Sequence, residues 1–114
     1  MKFPETTEEQ PFGPAVDVYK VAGKIFAIFS PENSPPSISL KCEPTLALEL
    51  REEYPAVTPG YHLNKLHWNT VVLDGSVPDV ELKKMISHSY EQVVSRFSKA
   101  RRERLSSLKF DAQL

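Results

Sequence analysis

Apolar residues recur with two different periods along this chain, and the change of period divides it into a strand-rich part and a helical part. Residues 16–21 and 24–30 are two runs rich in β-branched and aromatic side chains, and a tight Ala22-Gly23 turn separates them. Residues 37–42 alternate between apolar and polar side chains, as a half-buried strand does. The pattern predicts an antiparallel hairpin followed by a third strand.

A short helix and two more strands are predicted for the middle of the chain. The helix covers residues 45–54, with Pro44 at a first-turn position and Pro55 at its end. Residues 57–63 and 67–73 then have the composition of strands. These two runs are close in sequence, so we expect them to form a second hairpin.

The last third of the chain is predicted to be helical, because all ten prolines lie at or before Pro78 and no glycine follows it. Either Ser76 or Asp79 caps the start of this helix, and the sequence leaves both open. Apolar side chains recur at intervals of three and four residues and form one stripe for packing on a sheet. The stripe consists of Leu82, Met85, Ile86, Tyr90, Val93, Val94, Phe97 and Ala100.

The predicted order of elements is β-β-β-α-β-β-α, which indicates an α+β fold. We expect two layers, a five-stranded antiparallel sheet with helices on one face. At 114 residues the chain is long enough for one domain with its own core, so residues 1–114 are interpreted as a single domain. Residues 98–114 are expected to form a basic tail that is helical or partly disordered.

Charge is distributed unevenly although the net charge is only −1. Residues 1–17 are acidic, whereas residues 96–109 carry lysines and arginines against Glu103 alone. The basic segment includes Arg101, Arg102 and Arg104. These arginines are candidate phosphate contacts, but a solvated helix end is an open alternative, since cations also complement the dipole there.

The compartment is predicted from cysteine usage and from the start of the chain. Cys42 is the only cysteine, and residues 1–10 lack the basic and apolar regions of a secretory leader, so we expect a reducing, cytoplasmic environment. No apolar run is long enough to span a bilayer, so no membrane partner is expected.

The segment at 61–68, YHLNKLHW, holds the densest functional chemistry in the chain. It offers hydrogen-bond donors, a charge for phosphate and aromatic faces for bases, which a nucleic-acid-binding hairpin would use. In a purely structural alternative, its aromatic residues pack and its polar residues satisfy a tight connection. Arginine is missing here, so binding would be weakly sequence-selective. The candidates are His62, Asn64, Lys65, His67 and Trp68. Lys41, on the strand face opposite Cys42, is a further candidate that joins a basic patch only if the fold brings it near.

Catalysis and metal binding are not expected. Cys42 alternates with apolar neighbours, which predicts a core position for this thiol, and four glycines form no phosphate-binding loop. The cysteine and the histidines at 62, 67 and 88 stand on separate elements without the paired spacing of zinc modules. No catalytic residue, metal, cofactor or small-molecule ligand is therefore assigned.

Several segments together resemble the MmcQ/YjbR family over about residues 3–97: FPETTEEQPFGP, KVAGKIFAIF, PGYHLNKLHWNTVVLDG and MISHSYEQVV. The resemblance implies a two-layer α+β domain of the secretion-chaperone-like kind, also compared with frataxin-like folds. It further implies DNA binding, an idea drawn from likeness to a double-wing domain of a phage transcription factor.

One departure from the family pattern concerns its first helix, which usually precedes the segment that matches Phe3-Pro4. Here that helix is expected to be absent or vestigial, which would leave apolar surface for another copy of the chain or another protein. The leading hypothesis is a non-enzymatic DNA-binding domain. The alternative is a protein-interaction module or a homodimeric, chaperone-like adaptor.

Overall fold

The computed structural model describes residues 5–61 and 63–97 of the chain. Over these residues, an antiparallel sheet of six strands packs against two helices, in the spatial order β1-β2-β3-β4-β6-β5. The elements are β1 (Thr6–Glu9), β2 (Asp17–Val21), β3 (Lys24–Ser30), β4 (Ser37–Lys41), α1 (Pro44–Glu53), β5 (Val57–Pro59), β6 (Trp68–Val72) and α2 (Asp79–Val94).

The α+β class and the antiparallel sheet are confirmed, but the predicted count of five strands and the order β-β-β-α-β-β-α are wrong. The additional strand is β1, which pairs with β2 at one edge of the sheet. Its sequence, TTEE, contains no apolar residue, so no hydrophobic alternation marks it. Backbone pairing with β2 alone reveals this strand.

The β2–β3 hairpin forms as predicted. Its turn places Ala22 and Gly23 at φ of 47° and 83°, the left-handed region that tight hairpins require. The register then shifts, so that Phe26 is the extra residue of a β-bulge. Phe26 is fully buried, and its ring meets that of Tyr90 edge-on with the centroids 5.6 Å apart.

The caps of the two helices differ from each other. Glu43 caps α1, because its carboxylate accepts the Thr45 and Leu46 N–H groups at 3.0 Å. The proposed caps of α2 are wrong: Pro78 occupies the N-cap position, and Asp79 is the first helical residue. Ser76 is engaged elsewhere, since its N–H and hydroxyl both donate to the Asp74 carboxylate.

Both helices lie over the same face of the sheet. Leu40 of β4 and Val71 of β6 face this layer and share a cleft with Leu50 of α1 and Met85 of α2. The apolar stripe of α2 packs in or against this core as predicted, as far as Phe97. Ala100 lies outside the described residues, as does the tail. Within the described part of the chain, no helix is both long and apolar enough to cross a bilayer.

Candidate functional site

One end of the sheet gathers most of the residues with binding chemistry. Val21 pairs with Lys24 across the first hairpin, and Lys41 pairs with Trp68 across the β4–β6 ladder. β2 and β4 therefore end where β3 and β6 begin. The β2–β3 turn, Lys41 and the loop before Trp68 all lie at this end.

Three cations line a groove of about 490 Å³ at this end, which we call the basic groove. Lys24 comes from the start of β3, Lys41 from the end of β4, and Arg96 from the turn after α2. The apolar walls of the groove are Ile25, Val93 and Phe97. A groove that combines positive charges with apolar walls suits an anion better than a neutral ligand.

The three cations of the basic groove repel one another, and this repulsion disfavours the charged form of Lys41 when no anion is bound. Burial lowers the pKa of Lys41, and the charges of Arg96 and Lys24 lower it further. The ion pairs formed within the described residues join Lys20 to Glu9 and Lys84 to Glu81, so they include none of the groove cations. A bound phosphate would offset this repulsion.

The loop of residues 60–67 is held from below by Arg51 of α1. The Arg51 guanidinium donates to the Asn69 side-chain oxygen at 2.7 Å and to the Trp68 carbonyl at 3.3 Å. It also donates to the Lys65 carbonyl. Gly60 lies so close to Trp68 that a Cβ at position 60 would be 2.6 Å from the Trp68 Cβ, so only glycine fits here. The loop is thus a supported structure that Arg51 fixes to the helix layer.

Several predicted site residues have local roles in this loop. The Lys65 ammonium donates to the Gly60 carbonyl at 3.0 Å. The Asn64 side-chain oxygen accepts the Leu66 N–H at 2.9 Å, and the His67 carbonyl accepts the Cys42 N–H at 2.8 Å. Trp68 is half-buried at the first position of β6. These contacts shape the loop and bring Asn64, Lys65, His67 and Trp68 to the same end of the sheet as Lys41.

Two large side chains of the loop are exposed, beside the exposed polar residues Asn64 and Lys65. Tyr61 is 72% exposed and Leu66 59% exposed, although the sequence favoured packing for the aromatic residues. His62 lies outside the described residues, and so do Arg101, Arg102 and Arg104. Arg96 is the first residue of the basic segment and stands in the groove, so that segment begins next to Lys41.

Sequence reasoning missed Lys24, Arg51 and Asn69. Lys24 directly follows the hairpin turn, which is the one signal that could have placed it at this end. Arg51 looks in the sequence like any solvent-exposed helical arginine. Asn69 is a polar residue inside a strand, and its side chain is only 3% exposed. Their roles depend on contacts between residues distant in sequence.

Metal chemistry finds no support in the part of the chain that the structure describes. There, no three histidine, cysteine or carboxylate side chains come together in a way that could hold a metal ion. Cys42 is buried in the core, as predicted, and burial together with the Glu43 carboxylate raises the pKa of its thiol to about 11.

A six-stranded antiparallel sheet, two helices on one face and a cation-lined groove at one end define a small α+β domain. The chain belongs to the YjbR family, whose model matches residues 1–92. It is 40% identical over 89 residues to the uncharacterized protein YjbR of Escherichia coli K12, covering 78% of this chain and 75% of that protein. It is also 38% identical over 95 residues to the uncharacterized protein YbdF of Escherichia coli O157:H7, covering 83% of this chain and 78% of that protein.

Two solved structures share the fold. The crystal structure of Deinococcus radiodurans protein DR2400, a DUF419 domain, superposes with a TM-score of 0.86 at 38% identity and covers 92% of this chain and 80% of its own. A Pseudomonas syringae protein gives a TM-score of 0.68 at 28% identity, covering 78% and 87%. These names state no activity, so the functional argument depends on the site.

Proposed function

We propose that this chain is a non-enzymatic protein that binds nucleic acid, and specifically DNA. The observation that carries the proposal is the meeting of Lys24, Lys41 and Arg96 in one groove beside the 60–67 loop. The cations hold backbone phosphates, and the loop reaches toward a groove or an exposed base. A cytoplasmic location, which the single cysteine favours, is part of this proposal.

The proposal gives the candidate residues three roles. Lys41 supplies a phosphate contact inside the groove, and Arg101, Arg102 and Arg104 extend the positive charge along the chain from Arg96. Asn64 and Lys65 shape the loop, so their effect on binding is mainly through its conformation. His62, His67 and Trp68 are proposed to lie beside the nucleic acid. Because no arginine in this loop reads bases, selectivity for sequence is weak.

The test is a titration of labelled duplex and single-stranded DNA, followed by anisotropy and by the emission of Trp68, the single tryptophan, at several salt concentrations. Each groove cation that neutralises a phosphate on duplex DNA contributes about 0.9 to the slope of log affinity against log salt. Lys41→Gln and Arg96→Gln should each lower the affinity at low salt and reduce the slope by about that amount.

Lys83→Gln is the matched control, because Lys83 is exposed on α2 and lies outside the basic groove. It removes the same charge and should leave the slope unchanged. Lys65→Ala is a poorer probe, since it also removes the bond to the Gly60 carbonyl. Equal slopes for Lys41→Gln, Lys83→Gln and wild type, or no binding at low salt, would overturn the proposal.

Protein interaction is the second candidate function, and exposed Tyr61 and Leu66 favour it. These side chains are large, mostly apolar and part of one loop, as interface anchors often are. In this case Tyr61→Ser with Leu66→Ser would abolish capture of a partner or self-association in sedimentation. If this second function is the right one, Lys41→Gln should not change the slope of log DNA affinity against log salt.

A further inference from the structure

A cleft of about 250 Å³ opens between the two helices and shares Lys41 with the basic groove, and we call it the interhelical cleft. α1 packs on β5, while α2 packs on β2, β3 and β4, so a strip of β4 and β6 lies between the helices. Apolar side chains form its walls: Leu40, Cys42, Leu46, Leu50, Val71 and Met85. The strip is therefore an apolar floor with a helix on each side.

The walls of the interhelical cleft are already ordered by the core. Leu40, Cys42, Val71 and Met85 are all buried, and Leu40, Val71 and Met85 belong to the main hydrophobic cluster. Most of the cleft is consequently part of the folded scaffold. A ligand would enter a preformed space, which lowers the ordering cost of binding.

Polar groups in the floor of the cleft are already bonded. The Asn69 amide donates to the Ala47 carbonyl at 3.3 Å, and its oxygen accepts from Arg51 at 2.7 Å. His88 Nε2 accepts the Glu43 N–H at 3.1 Å. A water molecule needs two to four polar partners, so this floor suits an apolar occupant better than water.

The charged side chains at the rim indicate which head group an apolar ligand in the cleft would carry. Lys41 and Lys84 line the cleft against the single carboxylate of Glu81. Lys84 and Glu81 are 3.3 Å apart, and the Lys84 side chain is largely exposed. His88 adds no charge, because its Nε2 accepts an N–H and the imidazole is neutral in that state. The side chains that line the rim thus carry one more positive than negative charge, which favours an anionic head group.

We propose that the interhelical cleft binds a small carboxylate with an apolar body, whose chain lies against Leu40, Leu50 and Val71 and whose head group faces Lys84. Since a 150 Å³ apolar cavity holds benzene, a cleft of about 250 Å³ has room for about ten non-hydrogen atoms. That number corresponds to a medium-length aliphatic or a single-ring aromatic acid.

The first experiment titrates the full chain with straight-chain carboxylates from butanoate to dodecanoate and follows methyl chemical shifts by NMR. Affinity should rise about fourfold per added methylene, because each buried methylene contributes about that factor. The gain should stop near octanoate, where the cleft is full. The shifts should involve Leu40, Leu50, Val71 and Met85, and an affinity independent of chain length would overturn the proposal.

A matched pair of variants tests the location. Leu46→Trp fills the cleft from α1, whereas Leu48→Trp adds the same side chain to an exposed position on that helix, where the leucine is 57% exposed. Octanoate binding should fall at least tenfold in Leu46→Trp and stay unchanged in Leu48→Trp. Equal affinities of the two variants would contradict the proposed site.

Two further measurements test the contact of the head group with Lys84 and the location of the ligand in the wild-type chain. The second one does not depend on whether Leu46→Trp folds. Lys84→Gln should weaken octanoate and leave octanol unchanged, whereas Lys83→Gln should affect neither. In the wild-type chain, saturating octanoate should slow modification of Cys42 by methyl methanethiosulfonate at least fivefold. A rate that octanoate does not change would place the ligand elsewhere and overturn the assignment.

Discussion

At the scale of single residues, Arg51 is the side chain on which the 60–67 loop depends most. Its planar guanidinium reaches the Asn69 side-chain oxygen and the carbonyls of Lys65 and Trp68 at once. An ammonium is a point charge and does not satisfy three acceptors in this fan-shaped arrangement. The loop therefore requires arginine, and lysine does not replace it.

We expect Arg51→Lys to lower the free energy of unfolding by about 2 kcal/mol, because it leaves a buried oxygen without its donor. Trp68 emission should shift as the loop loosens. Urea denaturation followed by that emission measures both effects. Glu52→Gln, on the exposed neighbour in the same helix, should change stability by less than about 0.5 kcal/mol. Equal stabilities of the two variants would contradict the role of Arg51.

Cys42 provides a second prediction at this scale. Burial, followed by the nearby Glu43 carboxylate, raises the pKa of its thiol from 9.0 to about 11. Because the folded state keeps its proton longer, this group stabilises the fold below pH 9, and that contribution is lost as pH rises toward 11. Thiolate absorption should titrate near 11 in the native protein and near 9 in denaturant. Cys42→Ala should remove this part of the alkaline destabilisation, and a native midpoint near 9 would contradict it.

At the scale of elements, Ser89 connects α2 to two strands. Its hydroxyl donates to the Phe26 carbonyl of β3 and accepts the Lys41 N–H of β4 at 2.8 Å. Ser89 is fully buried, so neither backbone group would find water if the hydroxyl were removed. One small polar side chain thus fixes the helix at the bulge of the sheet.

Ser89→Ala is expected to reduce stability by about 2–3 kcal/mol, since it removes the acceptor of the Lys41 N–H and the donor to the Phe26 carbonyl. Ser87→Ala on the same helix is the control, because Ser87 is only half-buried. Chemical denaturation of both variants measures the difference. A cost for Ser89→Ala no larger than that of Ser87→Ala would show that the two bonds contribute little.

His88 links α2 to the start of α1 and makes this contact sensitive to acid. The imidazole must be neutral to accept the Glu43 N–H, and burial lowers its pKa, although the Glu43 and Glu91 carboxylates oppose that shift. The unfolded chain therefore takes up a proton at higher pH than the folded chain does. The contribution of His88 to stability is complete above its ordinary pKa of 6.5 and is lost as pH falls through the lower folded value.

His88→Gln should flatten the pH dependence of stability between about pH 7 and 5, because glutamine accepts the same N–H without titrating there. The measurement is thermal or urea unfolding at several pH values in that interval. Ser87→Ala, on the same helix, is the control that removes no titratable group and should retain the slope. A His88→Gln profile as steep as that of wild type would exclude this explanation.

At the scale of the whole molecule, the edges of the sheet limit self-association. β1 presents the sequence TTEE at one edge, and β5 has three residues including Pro59 at the other. Charged side chains and a proline hinder the addition of a further strand. Dimerisation, if it is found, is thus expected to use the exposed loop residues Tyr61 and Leu66 and not a continuous sheet.

Sedimentation velocity over a wide concentration range tests this expectation. If copies associate through the loop, Tyr61→Ser should shift the chain toward its monomer mass of 12.9 kDa. Glu8→Val with Glu9→Val would instead remove the charges that protect β1 and should promote association. Association that responds to neither change would mean that a different surface is responsible.

The elements with strong local signals were predicted well. Pro44 and Pro55 bound the short helix to within a residue or two, and Gly23 marked the first hairpin. β1 was missed because Thr6–Glu9 carry no apolar alternation, and the strand predicted over 57–63 ends at Pro59, where the loop begins. For the candidate site, the sequence named Lys41 and the loop, but it could not bring Lys24 and Arg96 to them.

Periodicity and turn chemistry alone therefore determined the α+β class, the antiparallel hairpin, the apolar stripe of α2 and the burial of Cys42, because these depend on neighbours within a few residues. Tertiary structure decided what depends on residues far apart in the chain. It placed Ser89 against Phe26, Arg51 beneath Trp68, and Lys24, Lys41 and Arg96 in one groove. It also left the cleft between the helices open, since only the packing of both helices on the sheet sets the distance between them.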